Sequence, residues 1–366
     1  MRQSASGFGL TTAKVGKWSL CLLLTALCSA TVVAAADKVA GKVVQPRIVT
    51  EPVRHDTDDP AIWVHPEDPA QSLILGTDKD VDGALYVFDL QGRIVQDKII
   101  RGLSRPNNVD IARGVMLGGK QTDIALVSER YANRLRAYRL PDLAPIDAGG
   151  IPVFVGERAR DVMGVAAYRR PNDGASFVIV SRSDQFAPQQ GYLHQYRLVD
   201  DGRGTLRGVF SRAFGNFSGR KEIEALSVDQ QAGHVYASDE TFGLRKYHAD
   251  PAHEDADDEL SVFGTQGFAR DHEGSAVLRR AGEPALLFVS DQQAGELRLF
   301  ALEGPTVERD GPRYVGRIRY AARDTDGIDL TAAALPGFPQ GLLVAMSTDK
   351  TFHYYDLGEL LAAMIP

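Results

Sequence analysis

The 366 residues carry 48 acidic against 41 basic side chains, a formal net charge of −7, with an ordinary hydrophobic content of 44%. Such an acidic chain is poorly suited to bind nucleic acid or an anionic membrane surface. Its two cysteines, Cys21 and Cys28, both fall in the N-terminal segment, so the remainder has no disulfide and no thiol chemistry.

Residues 1–36 read as an export signal. Arg2, Lys14 and Lys17 form a positive start with no acidic residue, Trp18 to Val33 is mostly apolar, and Ala34-Ala35-Ala36 supplies the small residues of a cleavage site. The apolar stretch is short for a retained anchor. Its loss takes the formal charge from −7 to about −10. The expectation is an exported protein, periplasmic or secreted, with one domain over 37–366. No linker divides that stretch, and Asp250 to Glu259 reads as a short acidic surface loop.

Within Val43 to Val53 a strand is expected that closes the architecture. Then an internal repeat begins. Short apolar runs end at Thr77, Ser128, Ser181, Ser238, Ser290 and Ser347, spaced by 51, 53, 57, 52 and 57 residues. Downstream of each lies an alternating strand with a closing aromatic: Phe88, Tyr138, Tyr196, Tyr247, Phe300 and Tyr355. Upstream lies a polar segment, and these run Asp58-Asp59-Pro60, Asn107-Asn108-Val109-Asp110, Met163-Gly164, Glu222-Ile223-Glu224, Asp271-His272-Glu273-Gly274 and Asp324-Thr325-Asp326-Gly327. Several strands per unit, repeated six times, predict an all-β, six-bladed propeller. A doubly wound fold would need helices between the strands, and the sequence offers a helix only at Leu357 to Met364.

Innermost propeller strands line a central channel. The polar segments would then bring Asp59, Asn108, Met163, Glu224, Glu273 and Asp326 to one end of it. The turns after the apolar runs would add Lys79, Arg130, Arg182, Glu240, Gln292 and Asp349. Crowded carboxylates gather a cation or take up protons. With oxygen ligands, no cysteine and no zinc-type pairing among the histidines, Ca²⁺ is the expected ion. Lys79, Arg130 and Arg182 beside it suit a phosphorylated polyanion. Alternation along the strand makes Glu224 the channel-facing residue and Glu222 the structural one.

Asp58-Asp59-Pro60-Ala61-Ile62-Trp63, Asn107-Asn108-Val109-Asp110 and Asp324-Thr325-Asp326-Gly327-Ile328-Asp329 resemble, in order and spacing, signature segments of the β-propeller phytases over roughly residues 48 to 356. The resemblance implies a phosphomonoesterase that takes phosphate from myo-inositol hexakisphosphate, with several Ca²⁺ ions and a calcium-bound water as attacking group. It implies Lys79, Arg130, Arg182, Glu224 and Glu273 as catalytic residues, with Asn108 and Met163 also at the substrate. It implies metal ligands among Asp58, Asp59, Glu224, Asp239, Glu240, Asp271, Glu273, Gln292, Asp324, Asp326 and Asp329; the turn aligns with either Asp239 or Glu240. Met163 stands where some members have Tyr, Asp80 where a second Lys often follows, and Arg182 where Lys is usual. Two other readings fit parts of the pattern: a calcium-dependent lactonase or esterase, and a non-catalytic exported calcium-binding propeller.

Overall fold

A computed structural model describes residues 41–366 apart from 184–185, 305–306 and 308–310. The expected export signal and both cysteines lie outside the described residues. From Val43 to Pro366 the chain forms one unit of six four-stranded antiparallel sheets. Five sheets are built from consecutive strands. In the sixth, Ile48–Val49 supplies the outermost strand by pairing with Thr351–Asp356, with Ile48 opposite Tyr354 and Val49 opposite His353. The N-terminal residues thus close the ring onto the last blade, as the sequence suggested, through two residues of the expected stretch.

The innermost strands are Thr57–Trp63, Pro106–Leu117, Val162–Arg169, Ile223–Asp229, His272–Leu278 and Ile328–Thr331, defining blades 1 to 6. The second strand of each blade is apolar on both faces because both are covered by neighbouring blades. Ile74 packs toward blade 6 while Leu73 and Leu75 pack toward blade 2; Val178 and Val180 face blade 2 while Phe177 and Ile179 face blade 4. Each closing aromatic packs into the interface with the preceding blade, Phe88 against blade 6 and Tyr355 against blade 5 among them. Losing such a buried ring costs about 3–5 kcal/mol.

The C-terminal helix α1 (Leu357–Ala362) is capped by Asp356, whose carboxylate accepts from Glu359 N, and buries Leu357 and Leu360. It stops two residues short of the expected end. Among the described residues no helix is long and apolar enough to cross a membrane.

Candidate active site

The polar segments sit where the inner strands break their own ladder. In blades 1 to 5 the register with the second strand slips across two residues: Asp58-Asp59, Asn107-Asn108, Met163-Gly164, Glu224-Ala225 and Glu273-Gly274. Asp326-Gly327 occupies the equivalent place just before the blade 6 strand. A bulge re-aims side chains at the rim of a sheet, and these five bulges together with the Asp326-Gly327 turn converge at one end of the channel.

The Ser and Thr residues that mark the repeat explain its persistence. All six hydroxyls are buried, and those of blades 1 to 4 serve backbone groups that the bulges leave unpaired. Thr77 Oγ1 accepts from Asp59 N and donates to Asn107 O of the next blade. Ser128 Oγ accepts from Asn108 N and Ser181 Oγ from Gly164 N. Ser238 Oγ donates to Glu273 O and Ser290 Oγ to Thr325 O, each one blade on. The blades approach closely here: a Cβ on Gly164 would lie 1.9 Å from Glu224 O, and one on Gly327 2.2 Å from Asp59 Oδ1.

Counting by this register corrects the expected ring by one residue in two blades. The equivalent first bulge positions are Asp58, Asn107, Met163, Glu224, Glu273 and Asp326, so Asp58 and Asn107 replace Asp59 and Asn108. They interlock directly. Lys79 Nζ contacts Asp58 Oδ1 and lies 3.0 Å from Asp326 Oδ2. Asn107 Nδ2 donates to Asp58 Oδ2 at 2.8 Å and to Glu224 Oε1 at 3.2 Å. Gln292 Nε2 donates to Asp326 Oδ1. Burial would push the Lys79 ammonium down, but Asp58, Asp326 and Glu224 outweigh it and raise it.

A second group joins blades 4 and 5. Glu240, Asp271 and Glu273, all buried, bring carboxylate oxygens within 4.8 Å of one another; Glu222, Glu224 and Glu240 do the same. Burial, with neighbouring carboxylates adding to it, pushes Glu224 up to about 7 and Glu240 up to about 8, and raises Glu273 well above the usual range. Gln293 Nε2 donates to Asp271 Oδ2 at 2.9 Å and Gln293 Oε1 accepts from Asp271 N. Even so, Glu240 Oε1, Asp271 Oδ1, Glu273 Oε2, Asn107 Oδ1 and Asn108 Oδ1 are buried without a hydrogen-bond partner. Buried polar oxygens left unpaired are costly. An all-oxygen set of this kind suits a hard cation such as Ca²⁺.

Not every expected residue reaches the ring. Arg182 is fully buried: Nε donates to Tyr192 O at 3.0 Å, Nη2 to Gly191 O at 2.9 Å and Nη1 to Ala159 O at 3.1 Å, with Glu157 in ion-pair contact and Phe154 beneath. Four of its five N–H donors are taken by these groups and the side chain is fully buried, so it is not placed to hold a phosphate. The equivalent of Lys79, Arg130, Glu240 and Gln292 in that blade is Ser183, which accepts from Arg130 Nη2 at 3.0 Å. Asp239 likewise points into blade 4, held by Arg245 and Ser218, which selects Glu240 for the ring.

Asp324 is exposed on left-handed backbone (φ 46°) outside the ring. Asp59, Asp110 and Asp329 lie in the channel and brace neighbouring inner strands, accepting from Val109 N, Ala167 N and Ile62 N respectively. Burial lifts Asp110 to about 6 and Asp329 to about 7. The channel cavity encloses about 550 Å³. Met163 is buried at its bulge and brings no polar atom, while Asp80 accepts from Asp82 N in a turn. Asp349 is tied to Thr351.

Three site residues escaped the sequence. Glu222 precedes the blade 4 ladder, so alternation does not bind it and its carboxylate reaches Glu240. Gln293 carries no repeat signal. Ser183 was within reach, since the marker Ser or Thr plus two gives the ring-facing residue in blades 1, 2, 4 and 5 as well. Away from the channel, His248, His253 and Asp255 also bring ligand atoms within 4.8 Å, a pairing of histidines invisible in their spacing.

Two comparisons agree with this architecture. The chain matches the family described as Phytase over residues 11–353. It is 27% identical over 307 residues to the 3-phytase of Bacillus subtilis (strain 168), covering 80% of this chain and 75% of that protein. A six-bladed propeller with carboxylates and cations gathered at one channel mouth, matched along most of its length, belongs to the phytase family.

Proposed function

We propose that the protein is a calcium-dependent phosphatase that removes phosphate from myo-inositol hexakisphosphate at this ring. Family membership supports the reaction class, and the similar 3-phytase supports the substrate. The observation that carries the calcium reading is the set of buried oxygens without hydrogen bonds on Glu240, Asp271 and Glu273, across the channel mouth from the blades that present Lys79 and Arg130. Glu224, Glu240, Asp271 and Glu273 would hold one part of a multi-ion site, and Asp58, Asp326 and Gln292 another. Bound Ca²⁺ would polarise phosphoryl oxygens and acidify water.

The chain's own contribution is positioning and charge. Arg130 is held at Nε by the Asp161 carboxylate, 3.7 Å away, and at Nη2 by Ser183, an orientation in which its guanidinium would meet a phosphate at the channel mouth. Lys79 brings a point charge from the adjacent blade 1, and the two would neutralise negative charge on the phosphoryl group. Asn107 fixes Asp58 and Glu224 in relation to each other. Glycines at 164, 274 and 327 let the bulges meet closely enough to share ions between blades.

Export is proposed from residues 1–36, and N-terminal sequencing of the protein recovered outside the cytoplasm tests it; a start just after Ala36 is expected. For the activity, phosphate release from inositol hexakisphosphate near neutral pH is measured with Ca²⁺ and with chelator. Release that needs Ca²⁺ supports the reading. A folded protein releasing no phosphate in Ca²⁺ would sink it.

A further inference from the structure

Lys221 precedes the blade 4 inner strand and sends its ammonium into the Glu240–Asp271–Glu273 group. It contacts Glu240, lies 3.3 Å from Asp271 Oδ2 and 3.6 Å from Glu273 Oε1. The three carboxylate side chains are at most 3% exposed, whereas the lysine is 43% exposed. It therefore enters from solvent and touches all three acids, whereas Arg270 pairs with Asp271 alone at 3.2 Å, and each acid keeps at least one oxygen without a hydrogen bond. Beside it opens a cavity of about 430 Å³ lined by Ser183, Gln189, Phe217, Arg220 and Lys221 itself. The side chain has somewhere to go.

We infer that Lys221 is a displaceable internal cation: it neutralises the three-carboxylate group while no metal is bound and withdraws toward that cavity when a divalent cation enters. Like charges a few Å apart in a partly buried site repel strongly, so ammonium and metal compete for these carboxylates. Lys221 then weakens metal affinity by the worth of its own contacts and keeps the metal-free fold intact. This rests on the calcium reading of the ring.

Two measurements test it. In the unaltered protein, amine labelling of Lys221 is followed by mass spectrometry with Ca²⁺ and with chelator, using exposed Lys120 as reference. Labelling of Lys221 relative to Lys120 should rise severalfold with Ca²⁺; an equal or lower value overturns the inference. In calorimetric titration of chelator-treated protein, Lys221→Met should bind Ca²⁺ about tenfold more tightly, since close charge pairs couple at that scale or above, and should melt lower without metal. Ca²⁺ affinity equal to or weaker than that of the unaltered protein overturns displacement alone. No Ca²⁺ binding by either form overturns the calcium reading and this inference with it.

Discussion

Asn107 Nδ2 lies 3.2 Å from Glu224 Oε1, so blade 2 reaches across the mouth of the channel to blade 4, past the buried Met163 of blade 3. The same amide holds Asp58 at 2.8 Å. One neutral side chain thereby sets the separation of two carboxylates assigned to different parts of the ion site. Hydrogen bonds to charged groups contribute about 1.5–3 kcal/mol. Asn107→Leu should therefore lower phosphate release about tenfold or more at saturating Ca²⁺, and it should also melt lower than the parent in chelator because two carboxylate oxygens lose their partner. Unchanged turnover in a steady-state assay would count against this positioning role.

Arg182 offers a contrast between resemblance and geometry. The resemblance implies a phosphate ligand, whereas the structure buries the guanidinium between Phe154 and the Glu157 carboxylate. Its loss strands the buried acceptors Tyr192 O, Gly191 O and Ala159 O, at about 1–3 kcal/mol for each acceptor left unsatisfied. Arg182→Met should lower the melting temperature substantially, and whatever soluble protein remains should keep its KM for substrate. A raised KM at unchanged stability would restore Arg182 to the phosphate site.

The acidic ring destabilises the metal-free protein, and neutralising one member should reveal it. Glu273 sits fully buried against Glu240 and Glu224, with burial the first cause of its raised pKa and those two carboxylates adding to it. Glu273→Gln removes a repelled charge at nearly constant shape. Melting curves should show the variant at least as stable as the parent in chelator, yet with a smaller upward shift on adding Ca²⁺. A ligand at 100 times its dissociation constant contributes roughly 2.7 kcal/mol, so the parent's shift is readily measured. A variant less stable in chelator and equally stabilised by Ca²⁺ would contradict the ring's role.

The same acids set a pH dependence. Glu224 and Glu240 are raised from 4.5 to about 7 and about 8 in the folded state. A folded-state pKa above the unfolded one means that the native protein holds protons the unfolded chain has released. Stability from these groups is full below about pH 4.5 and is lost as pH rises through 7 to 8. Metal-free melting temperatures should fall between pH 6 and pH 9, while the stabilisation by Ca²⁺ grows over the same range because protons no longer compete. A metal-free protein that becomes more stable toward pH 9 would be the opposite sign.

The blade count was legible because it rests on two roles that tolerate few residue types. A buried hydroxyl must satisfy a bulge backbone, as Thr77 and Ser128 do, and a large ring must fill each blade interface, as Phe88 and Tyr355 do. Registry was less legible. Asp58-Asp59 and Asn107-Asn108 are doublets, so identity cannot say which member faces the ring; only the slipped ladder does. Arg182-Ser183 and Asp239-Glu240 raise the same ambiguity after the second strand, and there the ion-pair partners Glu157 and Arg245 resolve it. Lys221 and Gln293 act from loop and turn positions outside the repeat, where no period marks them.

The central claim is that the ring of bulge carboxylates is a calcium site, and anomalous diffraction from crystals soaked in Ca²⁺ tests it most directly. The account predicts peaks about 2.3–2.6 Å from oxygens of Glu240 and Glu273 and near Asp58 and Asp326, with the Lys221 ammonium withdrawn from its carboxylates. Crystals saturated with Ca²⁺ that show no peak at these oxygens, and Lys221 still among them, would contradict it.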